Sequence, residues 1–293
     1  MLTLQVVLSG ILLGGLYACM AIGFSVIWGV TGLINLAHGS MILTGAYLTW
    51  WLHVHTGIDP FLTLPAAAAL LFVLGALLQR FLIERVIHRS MFMTLVLTFG
   101  VNMVVINILL QLFSADIRAV TMPYASAALQ IGPIRLPWTR IAVFVLALGL
   151  TGLLYLFMSR SRLGNAIHAV AQNPRGAATL GIDVRRVRML AFGIGAALAG
   201  ASGSLMAALY AFSPIAGDSF TLKSFVIVLL GGLGSMTGAI VAAIVLGVAE
   251  NLVSGLGAPG LRDAVSFFLL LAILLLRPRG LFGTRTGGDA RVR

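Results

Sequence analysis

Asn35 and His38 stand three residues apart in an apolar stretch, GLINLAHGSMILTGAYLTWWL, that runs from Gly32 to Leu52 without an acid, lysine or arginine. If the segment is helical, that spacing places both on one face. Polar groups in such surroundings are costly to keep and mark function or a buried partner. They either line a path for a polar solute or form a hydrogen-bonded pair that closes a break in the helix. Gly39 and Ser40 follow directly and belong to the same candidate path. A second glycine-rich stretch, GGLGSMTG, spans Gly231 to Gly238. Its Gly231, Gly232 and Gly234 can turn backbone amides toward a carboxylate at a half-helix end, or let two helices pack closely. Asn102 is an amide inside another apolar run, and Lys223 and Glu250 are ionisable groups in two more. Lys223 is expected at the outer interface, where a long stem snorkels, and Glu250 near the end of its span.

The residue types that run enzymes are absent in usable patterns. The sequence contains no GxxxxGK[ST] phosphate loop, so the chain does not itself hydrolyse ATP. HExxH, CxxC and GxSxG are missing too, and no two carboxylates are paired. Cys19 is the single cysteine, which excludes an internal disulfide and a thiolate metal site. His53 and His55 are a weak metal pair. The reading is a non-enzyme that binds no metal and no cofactor of its own.

The elements that hold these residues are membrane helices. The 293 residues are 60% hydrophobic and 9% charged, which no soluble domain of this size can bury. Period-two alternation is absent, so the spans are helices rather than barrel strands. The 34 glycines suit tight packing and broken helices. About nine apolar runs follow one another: Leu4 to about Val30, Gly32 to Leu52, Phe61 to Leu82, Met91 to Phe113, Thr139 to Met158, Met189 to Phe212, Ser219 to Leu233, Ile240 to Leu252 and Leu261 to Leu276. The expected fold is therefore all-α, a single polytopic membrane domain over residues 1–293. It has 8–9 transmembrane helices around a broken-helix, Gly-rich core. The first run lacks the basic flank of a cleavable signal and is read as a retained span. Gly39-Ser40-Met41 and Gly234-Ser235-Met236 echo each other after the two polar breaks, a pattern of inverted-repeat transporters.

Net charge is +11, but its placement excludes nucleic acid as the partner. Three arginines lie in the Arg80–Arg89 cluster, six in the loop from Ser159 to Arg188 and five in the tail over 277–293. All three fall on one side when the runs alternate with the N-terminus out and the C-terminus in, as the positive-inside rule requires. The loop reads SRSRLGNAIHAVAQNPRGAATLGIDVRRVR. Leu163, Ile167, Val170 and Ala171 fall at helical spacing, Asn173-Pro174 interrupts, and Ala177, Ala178 and Leu180 resume. A short helix, a turn and a second short helix outside the bilayer either dock a cytoplasmic partner or satisfy topology alone.

Three segments resemble one family. GLYACMAIGFSVIWGVTGLINLAHGSMILTGAYL is similar to the opening of LivH-type permeases, the membrane subunits of branched-chain amino acid ABC transporters. LGNAIHAVAQNPRGAATLGIDVRRVRMLAFGIGAALAGASG resembles their cytoplasmic loop and next span, and SFVIVLLGGLGSMTGAIVAAIVLGVAENL their C-terminal glycine-rich segment. The resemblance implies an inner-membrane importer with a second, LivM-type permease, two cytoplasmic ATP-binding subunits that use the ATP, and an extracytoplasmic binding protein. It implies a branched-chain or other hydrophobic amino acid as solute; urea, amides or aromatic acids are alternatives, as is a stand-alone channel or secondary transporter. Asn173, Pro174, Ala177, Ala178, Leu180, Gly181 and Ile182 then fall where such permeases dock on the ATPase. Two departures stand out: Gly176 precedes Ala177-Ala178 where an acid is common, and Ser40 follows His38-Gly39 where relatives often carry an acid.

Overall fold

The computed structural model describes residues 2–87, 89–132, 134–277 and 280–282, without the side chains of Leu2, Thr3, Ile131 and Pro259. Helix α1, Leu2–Thr31, and α2, His38–Thr56, flank the first break. Asp59 caps the next span, its Oδ1 accepting from Phe61 N at 2.9 Å. That span runs from Pro60 to Val86: a 3-10 turn, α3 (Leu64–Leu78), a π turn (Gln79–Ile83) and α4 (Glu84–Val86). Helix α5 is Met91–Phe113. After a long loop come α6 (Trp138–Arg160), α7 (Arg162–Gln172), α8 (Pro174–Thr179) and α9 (Val184–Ala207). Helices α10 (Gly217–Gly231), α11 (Met236–Gly255) and α12 (Arg262–Leu276) complete the bundle.

Among the described residues, seven helical segments are long and apolar enough to cross a membrane: those built on α1, α3, α5, α6, α9, α10 and α11. The chain is a multi-pass α-helical membrane protein. Helices α2 and α12 are the two further apolar runs expected from the sequence; at 15 residues α12 is short for a full span. Between α5 and α6 the connecting loop holds a two-stranded antiparallel hairpin, β1 (Ala128–Ile131) and β2 (Ile134–Pro137), the one sheet among the described residues. Arg118 pairs with Phe212 through the backbone and stacks 4.8 Å over Trp50, pinning that loop to the bundle. Nearby, burial and the hydrogen bond to Asp59 push the Tyr124 hydroxyl up to about 12.

Helix α9 is the axis of the bundle, with most of its length buried. Glycines make that possible. A methyl group on Gly203 would overlap the Ile42 carbonyl oxygen of α2, and one on Gly45 would overlap Gly200 of α9. Backbones in contact are the expected packing of helices that share small faces in lipid. Helix α9 starts five residues before the expected Met189. Asp183 caps it, and Arg185, Arg186 and Arg188 form its first turns. The basic tail expected over 277–293 lies outside the described residues except for Arg277 and Gly280–Phe282, and His88 of the Arg80–Arg89 cluster lies outside them too.

Candidate functional site

Helix α1 ends at Thr31, where Gly32 turns with φ +66°. Six residues later His38 Nε2 donates to the Met20 carbonyl at 3.0 Å. Met20 lies eleven residues before the end of α1, so the chain doubles back along α1 by about 16 Å before α2 begins. Helix α2 therefore starts inside the bundle rather than at its edge.

Most polar groups of the break find a partner close by; the exception among the described residues is His38 Nδ1, which is buried without one. Asn35 Oδ1 accepts from Ala37 N at 3.1 Å, and its Nδ2 lies 3.8 Å from Met41 Sδ. Ser40 Oγ donates to the Ala37 carbonyl at 2.9 Å. The His38 ring meets Phe24 edge-on at 5.3 Å. Thr98 on α5 accepts from Leu36 N at 3.3 Å and donates to the Ile34 carbonyl at 3.2 Å. Thr221 on α10 accepts from Gly39 N at 2.8 Å. Gly39 is required here, because a methyl group would overlap the Gly217 carbonyl oxygen. Asn35, His38 and Ser40 are wholly buried, so these side chains close the break and bind α2 to α1, α5 and α10.

Asn102 is the twelfth of the 23 residues of α5. It is buried, and its Nδ2 donates to Asp218 Oδ1 at 3.0 Å in the first turn of α10. Gly231, Gly232 and Gly234 lie elsewhere. Gly231 is ten residues beyond Thr221 on α10, about 15 Å along the axis. There Gly232 (φ +101°) and Gly234 (φ +79°) turn the chain tightly into α11. Gly231 packs on Gly238, and Leu281 N and Phe282 N donate to the Leu230 and Gly231 carbonyls at 2.8 and 3.1 Å. The two glycine stretches are not brought together.

Lys223 differs from expectation, whereas Glu250 lies five residues before the last residue of α11. Lys223 is buried rather than snorkelling, and Glu250 is fully enclosed. Lys223 Nζ pairs with Glu250 Oε1 at 3.0 Å and Arg262 Nε with Glu250 Oε2 at 2.9 Å. Tyr17 and Ser266 donate to the same carboxylate at 2.6 and 3.2 Å. Charges in an apolar bundle persist when paired and hydrogen-bonded, and this carboxylate has a full set of donors.

The polar loop forms the helix, turn and helix read from its pattern. Asn173 is the N-cap of α8, its Oδ1 accepting from Gly176 N at 3.0 Å, with Pro174 at the first helical position. Ala177 is buried, Ile182 half-buried, and Ala178, Leu180 and Gly181 exposed; Gly181 has φ +82°. Leu180 is 80% exposed. Glu84 of α4 lies 3.6 Å from both Arg185 and Arg188 of α9. Arg80 and Arg85 share an open pocket of about 570 Å³ with Asp183, Arg185 and Arg186. The Arg80–Arg89 cluster and the loop thus lie on one face.

Thr98, Thr221 and Asp218 escaped the sequence reading. Threonines are unremarked in apolar runs because a hydroxyl can bond within its own helix. Asp218 was detectable: three acids, Asp218, Glu250 and Asp263, stand in the C-terminal apolar third with only Lys223 and Arg262 to balance them.

Broken helices knotted by buried polar groups inside a lipid-soluble bundle define a multi-pass membrane transport component. The chain belongs to the family described as branched-chain amino acid transport system / permease component, which it matches over residues 6–274. That is the family suggested by its three segments, and it is a transport family rather than an enzyme family. It is 32% identical to the high-affinity branched-chain amino acid transport permease BraD of Pseudomonas aeruginosa, over 96% of this chain and 95% of that one. Identity to LivH of Salmonella typhimurium is 33%, again over 96% and 95%. LivM of Escherichia coli is 28% identical over 91% of this chain and 67% of its own. No solved structure matches.

Proposed function

We propose that this chain is the permease subunit of an ATP-driven importer that moves branched-chain amino acids across the inner membrane. Its partners are a LivM-type permease, two cytoplasmic ATP-binding subunits and an extracytoplasmic solute-binding protein, with membrane lipid around them. ATP is used by the partner subunits, and this chain holds no cofactor. Family membership over most of the chain supports the reading, as do the named solutes of its relatives.

The observation that carries the coupling part is Leu180. A large aliphatic side chain stands four-fifths exposed at the end of a capped two-helix loop, within the segment where the family resemblance places the ATPase contact. The loop runs into α9 through a four-residue turn, Leu180 to Asp183, and Arg188 of α9 is tied to α4 through Glu84. Force on α8 therefore reaches two spans. Asn173, Pro174, Ala177, Ala178, Leu180, Gly181 and Ile182 form the docking element, and its face is cytoplasmic, as is the C-terminus. Binding there shifts the inward and outward states only through different contacts in each. The knot of Asn35, His38, Gly39 and Ser40 walls the solute path on the α2 side, and Asn102 borders it from α5. Gly231, Gly232 and Gly234 bound its inner end.

Leu180→Asp tests the coupling claim. The variant is expected to insert normally and to lose co-purification of the ATP-binding subunit, and Gly181→Trp is expected to uncouple ATP hydrolysis from uptake. Retention of the subunit at the parent level by Leu180→Asp contradicts the docking assignment.

A further inference from the structure

We propose that the pocket between the first turns of α10 and α12 holds the head group of an α-amino acid zwitterion, its ammonium at Asp218 and its carboxylate at Lys223. The assignment rests on the function proposed above and deepens it.

The pocket is about 230 Å³ and is lined by Asp218, Ser219, Lys223 and Asp263 with Leu222 and Phe267. Asp218 is exposed, and the Asp263 side chain is 66% exposed. Carboxylates in membrane spans are kept out of lipid and face the bundle interior or a water-filled cavity, and these two line the pocket. Asp218 has the Asn102 amide as its hydrogen-bond partner, and no cation lies within ion-pair distance of it among the described residues. Asn102 is 2% exposed, and its Oδ1 has no hydrogen-bond partner among the described residues. An exposed carboxylate lining the pocket without a cation of its own matches an ammonium, which brings three donors and a positive charge.

The other pole is Lys223. Its Nζ lies 3.0 Å from Glu250 Oε1 and 3.0 Å from Asp263 Oδ1. The two bonds differ in strength. Glu250 is enclosed and held by Tyr17, Arg262 and Ser266, whereas Asp263 is open to solvent, where ion pairs are weak. An incoming carboxylate therefore exchanges with Asp263 and leaves the Glu250 pair intact. Leu222 and Phe267 supply apolar surface for the side chain. Urea and simple amides lack the separated charges that both poles require.

The test uses the whole transporter with its partner subunits in proteoliposomes. ATP-dependent uptake is measured for leucine and for 4-methyl-2-oxopentanoate, which keeps the carboxylate and side chain and lacks the ammonium. Asp218→Asn is expected to raise the leucine KM about tenfold or more, with a much smaller change in kcat, because a charge-assisted bond to the solute is lost. It should also narrow the preference for leucine over the oxo acid. Asp263→Asn removes the competing carboxylate and is expected to lower the leucine KM severalfold, an outcome that a structural role does not produce. Asp263 is exposed, so this variant decides the matter if Asp218→Asn fails to assemble. Parent-like KM values and selectivity in the variants overturn the site while ATP-dependent uptake stands. If the parent complex moves no amino acid with ATP, the proposed function fails and the site falls with it.

Discussion

The two glycine breaks share a Gly-Ser-Met triplet and are built in opposite ways. Between α1 and α2 the chain folds back into the bundle, and side chains of Asn35, His38, Ser40, Thr98 and Thr221 satisfy the freed backbone. Between α10 and α11 the turn is closed by backbone: Gly232 and Gly234 take positive φ, and Leu281 and Phe282 donate to Leu230 and Gly231. Ser40 sits within the first turn of α2 and bonds back to Ala37, whereas Ser235 is the N-cap of α11 and accepts from Gly238 N at 3.1 Å. The Gly-Ser-Met echo thus marks a helix start in both places without marking equivalent positions. A break deep in the bundle needs side-chain partners drawn from several helices; a tight turn needs mainly glycine.

Substitutions separate the two constructions. The largest effect is expected from Gly39→Val, whose side chain meets the Gly217 backbone. Overpacking against backbone should cost about 3 kcal/mol or more, and membrane-inserted protein on an immunoblot should fall to background. Glu250→Ala comes next. It leaves the buried Lys223 with only the exposed Asp263, and the half-buried Arg262 without its carboxylate, expected to cost about 3 kcal/mol in thermal unfolding of the detergent-solubilised protein. Thr221→Val removes the acceptor for Gly39 N and should cost about 1–3 kcal/mol. The smallest effect belongs to the second break: Gly234 has open space around its Cβ position, so Gly234→Ala should cost only the left-handed penalty of about 1–2 kcal/mol. A larger loss from Gly234→Ala than from Gly39→Val would reverse the comparison.

Hydropathy made the spans legible because lipid demands long apolar helices whatever their packing. Their ends were less so. Arg185, Arg186 and Arg188 read as loop, yet they are the first turns of α9, since arginine is a good helix former and a helix end outside the apolar span tolerates its charge. The loop was the clearest part: Asn173-Pro174 is a cap followed by proline at N1, a local signal needing no tertiary context. Asn35 and His38 were visible as polar interruptions, but their spacing left open whether they line a path or close a break, and only the contact to Met20 shows the chain folding back. The Lys223–Glu250 pair was illegible for a simpler reason. Its members are 27 residues apart on different helices, and a single sequence gives no register between helices.

The most direct measurement is uptake in membrane vesicles containing this chain, its partner subunits and the binding protein. Labelled leucine, isoleucine, valine, phenylalanine and urea are compared with and without ATP. ATP-dependent uptake led by the branched-chain amino acids is the predicted result. Flux through this chain alone that ignores ATP would contradict the account.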